Sequence, residues 1–528
     1  MSSKTKQSFM GGAALLTLTM VITKLIGAFF KIPVANLLDK EGMSVFYAAY
    51  NIYNLLLVIS TAGLPLALSR LISEAEALGH ENQKRRVFRV TGALFLLLGI
   101  VCSAVMFFFA RPLAGLLHNT MAVTAIRVLS PAVLFVCVLS AIRGYTQGQG
   151  NMRPTALSEI IESTTKLIVG MGLVWLLLRQ GYSKHIGAAG AIAGVTAGTF
   201  LGMTVLLIYL LRRRYYRPST DTPQSARTIV RRLLAIGVPI TIGACGMTLL
   251  NLLDQSLVQG TLQNSLGLSE AVATALYGEY TYAVNLFSLP TAFIYPVTIS
   301  LIPAITDALT RRDYRAAKSH TASAFRMTAL LAMPAGVGLS VLARPIMDLL
   351  YFAVPDTAAA AAEHLRVLGF ASILVCFMAM TNAILQAYGK ERIPLWTLLA
   401  GGVMKVVTNY LMVANPAIGI HGAPVSTLYC YALIVLLNLI AIWRCVPEKP
   451  DYFQVFWRPA LAAAVMGIAA RGIYHALQAA ISGCVAVLIA VMAAVIVYAV
   501  FAVVLGAVRR EDVTGLPKGE KIARFLRN

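Results

Sequence analysis

The chain has 528 residues, of which 58% are hydrophobic and 12% are charged, and its formal net charge is +22. A water-soluble protein of this length needs far more polar surface, so the composition excludes a soluble multidomain protein and indicates a polytopic membrane protein. Cytoplasmic loops of membrane proteins are rich in Lys and Arg, which are attracted to anionic lipid headgroups. The positive net charge therefore need not indicate nucleic-acid binding.

Apolar segments long enough to cross a bilayer, about 20 residues each, occur fourteen times along the chain. In chain order they lie near 9–34, 44–70, 88–110, 121–143, 154–178, 186–211, 233–258, 271–302, 324–343, 359–387, 393–413, 419–443, 456–478 and 482–508. Lys4 and Lys6 precede the first segment without a signal-peptidase site, which predicts a retained span. With the N-terminus inside, the inner segments hold 31 Lys and Arg residues and the outer loops five, which predicts two cytoplasmic termini.

An internal repeat relates the two halves of this all-α chain. The sequence Arg-Pro-Leu-Ala-Gly-Leu-Leu at 111–117 recurs as Arg-Pro-Ile-Met-Asp-Leu-Leu at 344–350, and Ile-Gly-x-x-Gly-Ala at 186–191 recurs at 418–423. Such matches keep their order from the second to the sixth predicted helix, so the repeated unit has six helices. An even number gives both copies the same orientation, which predicts two parallel six-helix lobes with a pseudo-twofold axis along the membrane normal, and transport by alternating access.

The repeat divides the chain into three predicted parts. Helices 1–6 form an N-lobe in residues 1–218, helices 7–12 form a C-lobe in 219–446, and two further helices with a basic cytoplasmic tail occupy 447–528. The alternative to a transporter is a duplicated scaffold without transport activity.

Ionisable side chains within a span cost roughly 2.5–3.5 kcal/mol each on insertion scales, so they commonly face protein or a water-filled cavity. We therefore predict a polar cavity lined by such residues. The substrate-binding candidates are Lys24, Lys31, Arg70, Glu159, Glu162, Lys166 and Lys405. For Lys24 and Lys31 the alternative is that the side chain snorkels to the membrane surface. On the fifth helix the alternatives are a Glu162–Lys166 ion pair and a solvated Glu159.

A second group of polar residues predicts cation coupling. Asn251 and Asp254 lie one turn apart on the seventh predicted helix, and Asn409 lies one turn after Lys405 on the eleventh. The Asp254 carboxylate suits Na⁺ or a proton, and a salt bridge to Lys405 is its structural alternative. An Arg70–Glu74 pair at the inner surface is either interfacial or part of a gate.

Signals for catalysis, metals and cofactors are weak. The seven cysteines form no Cys-x-x-Cys motif or Cys/His cluster, and the chain has no nucleotide-binding Gly-rich loop ending in Lys-Ser/Thr. We predict that the protein is not an enzyme and carries no cofactor or metal, and that any energy comes from Na⁺, H⁺ or the membrane potential.

Several motifs resemble a known family. They are Thr-Lys-Leu-Ile-Gly at 23–27, Lys-Ile-Pro at 31–33, Ser-Thr-Ala-Gly-Leu-Pro at 60–65, Ser-Arg-Leu-Ile-Ser-Glu at 69–74 and Arg-Gly-Tyr-x-Gln-Gly-x-Gly at 143–150. Together they are similar to the polysaccharide biosynthesis/export family typified by stage V sporulation protein B, in the multidrug/oligosaccharidyl-lipid/polysaccharide exporter superfamily. The resemblance covers about residues 5–510.

This resemblance implies fourteen helices in two lobes, a bacterial cytoplasmic membrane, and flipping of an undecaprenyl-diphosphate-linked glycan. Lipid II, the peptidoglycan precursor, is the first candidate, as in MurJ-type flippases. The implied partners are the lipid-linked glycan, anionic lipids and cell-wall synthesis enzymes that serve growth and cell shape. Gram-negative lipid II flippases carry arginines where this chain has the apolar segment Asn54–Val58. Either the basic candidates named above bind the diphosphate in this chain, or its substrate is different.

Two alternatives belong to other functional classes. A cation-coupled multidrug antiporter of the same superfamily predicts an acidic cavity, and the intramembrane lysines argue against it. A non-transporting scaffold of an envelope-synthesis complex predicts that the cavity charges can be removed without effect.

Overall fold

The structure is a computed structural model and describes residues 9–212, 219–446 and 452–508. These residues form seventeen α-helices and no strand. Lys4, Lys6 and the predicted basic tail lie outside the described residues. Contacts divide the chain into two compact units, Met1–Gly278 (unit 1) and Glu279–Asn528 (unit 2).

The helices of unit 1 contain the first seven predicted spans. They are α1 (Phe9–Thr61), α2 (Gly63–Ala77), α3 (Glu81–Phe108), α4 (Ala110–Leu116), α5 (Val123–Gly148), α6 (Arg153–Arg179), α7 (Lys184–Arg212), α8 (Ala226–Asn264) and the first part of α9 (Glu270–Phe287).

The helices of unit 2 contain the later predicted spans. After the rest of α9 they are α10 (Thr291–Thr310), α11 (Tyr314–Val341), α12 (Ala343–Leu350), α13 (Pro355–Ala387), α14 (Arg392–Val413), α15 (Gly422–Cys445), α16 (Tyr452–Leu477) and α17 (Gly483–Val504). Two short 3-10 turns, Thr120–Ala122 and Gly419–His421, precede α5 and α15.

The predicted all-α, multi-pass membrane fold is confirmed. Within the described ranges, twelve helical stretches are long and apolar enough to cross a membrane, and one of them, Leu18–Ala77, contains most of the first predicted span and all of the second. The eighth predicted span, 271–302, was expected to be one helix, and this is wrong, because the chain breaks between α9 and α10 before Pro290. The second span, near 44–70, breaks in the same way at Ala62, between α1 and α2.

The helix α1 turns back on itself at Asp39. The backbone there has φ 58° and ψ −178°, a conformation that residues other than glycine rarely adopt. In a straight helix Lys31 and Tyr47 would be about 24 Å apart along the axis. Here the Lys31 Nζ donates a hydrogen bond to the Tyr47 hydroxyl at 3.3 Å, so the two arms of α1 lie side by side.

The repeat is visible in the elements of each unit. The duplicated Arg-Pro sequences form the short helices α4 and α12, each placed between two long helices in the chain. The helix α8, expected to begin the C-lobe, belongs to unit 1, where it packs against α1, α2 and α3. The lobe boundaries 1–218, 219–446 and 447–528, with their pseudo-twofold axis, stay a prediction.

A carboxylate outside the spans closes the N-terminus of α3. The two Asp221 oxygens accept hydrogen bonds from the backbone amides of Asn82 (3.0 Å) and Gln83 (2.7 Å), and Ser219 also donates to Asp221. Desolvation acts to raise the pKa of Asp221, but these hydrogen bonds to the charged form outweigh it and hold the pKa below its ordinary value. The carboxylate satisfies amides that every helix start leaves unpaired.

We expect Asp221→Asn to speed hydrogen exchange at the Asn82 and Gln83 amides, because the amide side chain is a weaker, uncharged acceptor. Since the folded pKa is lowered, the wild-type protection is present above pH ~4, the ordinary range of an aspartate, and is lost as the pH falls further. Mass spectrometry of peptides from the start of α3 measures both effects. Asp313→Asn, at the N-cap of α11 where Asp313 accepts from the Ala316 amide, should leave the α3 peptides unchanged.

Candidate functional site

Two lysines in unit 1 lie against the same tyrosine. The Lys31 Nζ is 5.6 Å from the centroid of the Tyr50 ring, and the Lys166 Nζ is 4.9 Å from it. Lys166 also donates a hydrogen bond to the Tyr50 hydroxyl at 3.4 Å, as Lys31 does to Tyr47. We call Lys31, Lys166, Tyr47 and Tyr50 the lysine–tyrosine cluster.

The bend in α1 supplies the aromatic side of this cluster. It places Phe46, Tyr47 and Tyr50 beside the arm that carries Phe30 and Lys31, and the rings of Phe46 and Tyr50 stack at 5.5 Å. The Phe30 ring lies 5.0 Å from the Lys166 Nζ. Each ammonium therefore has aromatic faces around it, which attract a cation by about 0.5–2 kcal/mol without neutralising its charge.

Glycines position the helix that carries Lys166. A Cβ atom on Gly194 of α7 would lie 2.4 Å from the Cα of Gly170 on α6, and one on Gly198 would lie 2.5 Å from the Glu162 carbonyl oxygen. Only glycine permits backbones this close, and such small-residue faces are common between membrane helices. The close α6–α7 contact fixes α6 so that Lys166, one turn before Gly170, reaches α1.

The two lysine side chains keep most of their hydrogen-bond donors. Among the described residues no carboxylate lies within ion-pair distance of Lys31 or Lys166, and each ammonium gives one of its three N–H donors to a tyrosine. The cluster can therefore bind an anion, such as a phosphate or diphosphate, through two point charges and several hydrogen bonds.

Acidic residues on α6 lie beyond the cluster, toward the N-terminal end of the helix. Glu162 pairs with Arg143 of α5 at 3.1 Å, and Arg143 also donates to the Ser158 hydroxyl at 3.0 Å. The Glu162–Lys166 pair considered from the sequence does not form in the described structure, because the Lys166 side chain points to α1. Glu159, one turn before Glu162, is half-buried.

The other basic candidates of unit 1 lie outside the lysine–tyrosine cluster. Lys24 is exposed on α1. Arg70, in the middle of α2, pairs with Glu74 at 3.5 Å, and Glu74 also pairs with Arg232 of α8 at 2.7 Å. These three residues connect α2 to the first part of α8.

The cation-coupling candidates differ in burial. Asn251 is exposed on α8, whereas Asp254 is buried, next to Gln255, which accepts a hydrogen bond from Asn51 at 2.8 Å. Lys405 and Asn409 are buried on α14 of unit 2. Their roles, and the Asp254–Lys405 salt bridge, stay predictions. In the described part of the chain no three His, Cys, Asp or Glu residues are grouped so as to hold a metal ion.

Sequence reasoning missed the aromatic partners of the lysines and the partner of Glu162. Tyr47, Tyr50 and Tyr53 repeat every three residues, and this spacing was a visible signal of one tyrosine face on the second arm of α1. Arg143 had been counted only as an inner-surface charge, and nothing in its local sequence indicates Glu162 as its partner.

Comparison with protein families gives two matches. The model of a family described as polysaccharide biosynthesis protein matches residues 9–309, which is more than half of the chain. A second model, MatE, matches residues 239–411.

Individual relatives and solved structures point the same way. Stage V sporulation protein B of Bacillus subtilis is 24% identical over 84% of this chain and 85% of its own length. The lipid II flippase MurJ of the same organism is 26% identical over 84% of this chain and 83% of its own. A solved lipid II flippase MurJ in an inward closed conformation superposes with a TM-score of 0.70 at 15% identity, covering 93% of this chain and 98% of that one, which shows a shared fold.

Proposed function

The chain belongs to the polysaccharide biosynthesis protein family, and from this membership we propose that it is a flippase for a lipid-linked glycan. The substrate is an undecaprenyl-diphosphate-linked precursor, with lipid II as the first candidate. Alternating access moves the headgroup across the cytoplasmic membrane of a bacterium, and both termini are cytoplasmic. Relatives with a stated activity include lipid II flippases, which are transporters and support the prediction that the chain is not an enzyme.

The lysine–tyrosine cluster is the observation that carries this proposal. A diphosphate presents adjacent negative groups, and Lys31 and Lys166 present two ammonium groups around one tyrosine ring with donors left for a ligand. Charge-assisted hydrogen bonds of this kind are roughly twice as strong as neutral ones. The tyrosine and phenylalanine rings add apolar faces suited to a sugar or to the first isoprene units.

The polyprenyl chain stays in lipid while the headgroup crosses through unit 1. Anionic membrane lipids attract the basic inner loops, and cell-wall synthesis enzymes supply and use the substrate. Return of the empty carrier uses the membrane potential or a gradient of Na⁺ or H⁺, with Asp254 as the candidate carboxylate for the cation.

Reconstitution tests the proposal directly. The full chain is placed in liposomes containing fluorescent lipid II, and the fraction accessible to a membrane-impermeant quencher is followed with time. We expect flipping well above that of protein-free liposomes. A parallel sample with the same label on an undecaprenyl monophosphate should move more slowly, because the second phosphate is missing.

The match to MatE favours a second candidate, a cation-coupled multidrug antiporter. The same liposomes loaded with a fluorescent cationic drug and a Na⁺ or H⁺ gradient decide between the two. Drug efflux without movement of any diphosphate-linked lipid would overturn the flippase proposal. If neither the drug nor the diphosphate-linked lipid moves, the hypothesis of a non-transporting scaffold is favoured.

A further inference from the structure

The helix α8 is fastened to the other helices of unit 1 along both of its halves. The repeat predicts that α8 begins the C-lobe, whereas in the structure it belongs to unit 1 and packs against α1, α2 and α3. Transporters built from two repeats work largely by rocking one repeat against the other. The contacts of α8 therefore bear on which helices move together.

In the first half of α8, its backbone touches that of α2. A Cβ atom on Gly63 would overlap the Gly237 carbonyl oxygen and would lie 2.5 Å from the Thr241 hydroxyl oxygen. A Cβ atom on Gly237 would lie 2.8 Å from the Leu64 side chain. Glycine is needed at both positions, and small residues of this kind let membrane helices pack without side chains between them.

Two further contacts hold the start of α8. Arg232 forms its ion pair with Glu74 of α2 at 2.7 Å. The segment just before α8 is bound to α3, because the Asn82 side chain donates to the carbonyl oxygens of Ser219 (2.8 Å) and Asp221 (3.1 Å). The chain therefore enters α8 already attached to unit 1.

In the second half, one face of α8 binds the turn that follows α4. Ser256 donates to the Leu116 carbonyl oxygen at 2.6 Å. Gln263 donates to the His118 carbonyl oxygen at 2.7 Å, and a Cβ atom on Gly260 would lie 2.8 Å from the His118 ring. The last carbonyls of a helix have no partner within it, so side chains of α8 satisfy the end of α4.

Buried amides and a serine extend this contact from α8 to α1. Gln259 and Asn119 both donate to the Ser44 hydroxyl oxygen, at 2.9 and 3.2 Å. Asn51 donates to Gln255 at 2.8 Å. Each such hydrogen bond contributes about 0.5–1.5 kcal/mol, and a buried polar group that loses its partner costs about 1–3 kcal/mol. Separating the second half of α8 from α1 is therefore costly.

We propose that α8 moves with unit 1 during transport, although the repeat makes it the first helix of the C-lobe. The boundary between the moving bodies then lies after α8 and not in the segment 213–225 that joins the two repeats. Rocking opens one end of an interface while it closes the other, and neither half of α8 can leave unit 1 without breaking the contacts above. The transport part of this inference rests on the proposed flippase activity.

Reducible crosslinks between α8 and its neighbours test the proposal in the liposome assay. Glu74→Cys with Arg232→Cys joins the first half of α8 to α2. His118→Cys with Gln263→Cys joins the second half to the turn after α4. A short methanethiosulfonate crosslinker closes each pair, and mass spectrometry gives the crosslinked fraction. The single-cysteine variants, treated in the same way, correct for reaction at the native cysteines.

We expect the crosslinked and the reduced sample of each pair to flip lipid II at rates within about twofold of each other, because no conformational step of transport separates the two residues. If α8 instead moves with the C-lobe, one of the two crosslinks stops the cycle. Loss of flipping that a reductant restores, at either pair, would therefore overturn the proposal.

A measurement without substrate separates this inference from the flippase proposal. Pulsed EPR gives the distances between spin labels at residues 74 and 232, in a variant whose seven native cysteines are replaced by alanine. Labels at the exposed residues Arg231 of α8 and Lys390 of unit 2 form the reference pair. We expect one distance population for the first pair and more than one for the reference pair.

The two proposals can then fail separately. A second population in the first pair, or a single one in the reference pair, would contradict the joint movement of α8 and unit 1 even if lipid II is flipped. The expected distances without any flipping of lipid II would leave the movement in place and count against the flippase proposal alone.

Discussion

The Lys31→Ala, Lys166→Ala double variant is expected to lose lipid II flipping by about 100-fold or more. Hydrogen bonds to charged groups contribute about 1.5–3 kcal/mol each, and two such losses correspond to two or more orders of magnitude. The variant removes both ammonium groups from the Tyr50 ring and leaves the aromatic faces in place. The initial rate in the quencher assay gives the effect directly.

Single substitutions and controls make this result specific. Lys31→Arg and Lys166→Arg retain charge and should keep a measurable part of the activity. Lys24→Ala, at an exposed position on α1, should have a smaller effect than either cluster lysine. Lys390→Ala removes an exposed lysine after α13 and should flip at the wild-type rate. Full flipping by the double variant would exclude the lysine–tyrosine cluster as the headgroup site.

The membrane fold could be predicted because the bilayer imposes a length and a polarity on each helix. Hydropathy located helical structure at each predicted span. Glycines four residues apart, such as Gly194 and Gly198 on α7, are a pattern typical of close packing between membrane helices. The breaks at Ala62 and before Pro290 were missed, because an apolar run looks the same whether it forms one helix or two. The contact between the two arms of α1 likewise depends on the backbone at Asp39, which hydropathy does not report.

The site was predictable only in part, for a physical reason. A lysine inside a span is costly wherever it lies, so Lys31 and Lys166 stood out before their neighbours were known. Tertiary packing determines their partners. The α6–α7 glycine contact directs Lys166 to Tyr50, and Glu162 therefore pairs with Arg143. Local spacing alone favoured the Glu162–Lys166 pair, which the structure does not form.

The glycine contact that directs Lys166 leads to the second large effect, from Gly194→Val. A Cβ atom at this position would lie 2.4 Å from the Cα and 2.5 Å from the amide nitrogen of Gly170, and backbone atoms cannot rotate away as a side chain can. Overpacking costs about 1–3 kcal/mol in well-packed interiors, and a backbone neighbour places this case at the upper end. We therefore expect a lower thermal midpoint in detergent by intrinsic fluorescence.

The same substitution should also impair flipping in whatever fraction stays folded, because α6 must move away from α7 and carries Lys166 with it. Gly172→Val is the matched control: it lies on α6, and a Cβ there has no atom within 4 Å to meet. It should keep both the midpoint and the flipping rate. If Gly194→Val matched Gly172→Val in stability and activity, the helix contact would not be what holds Lys166 against Tyr50, and the position of the second ammonium would have to come from α1 alone.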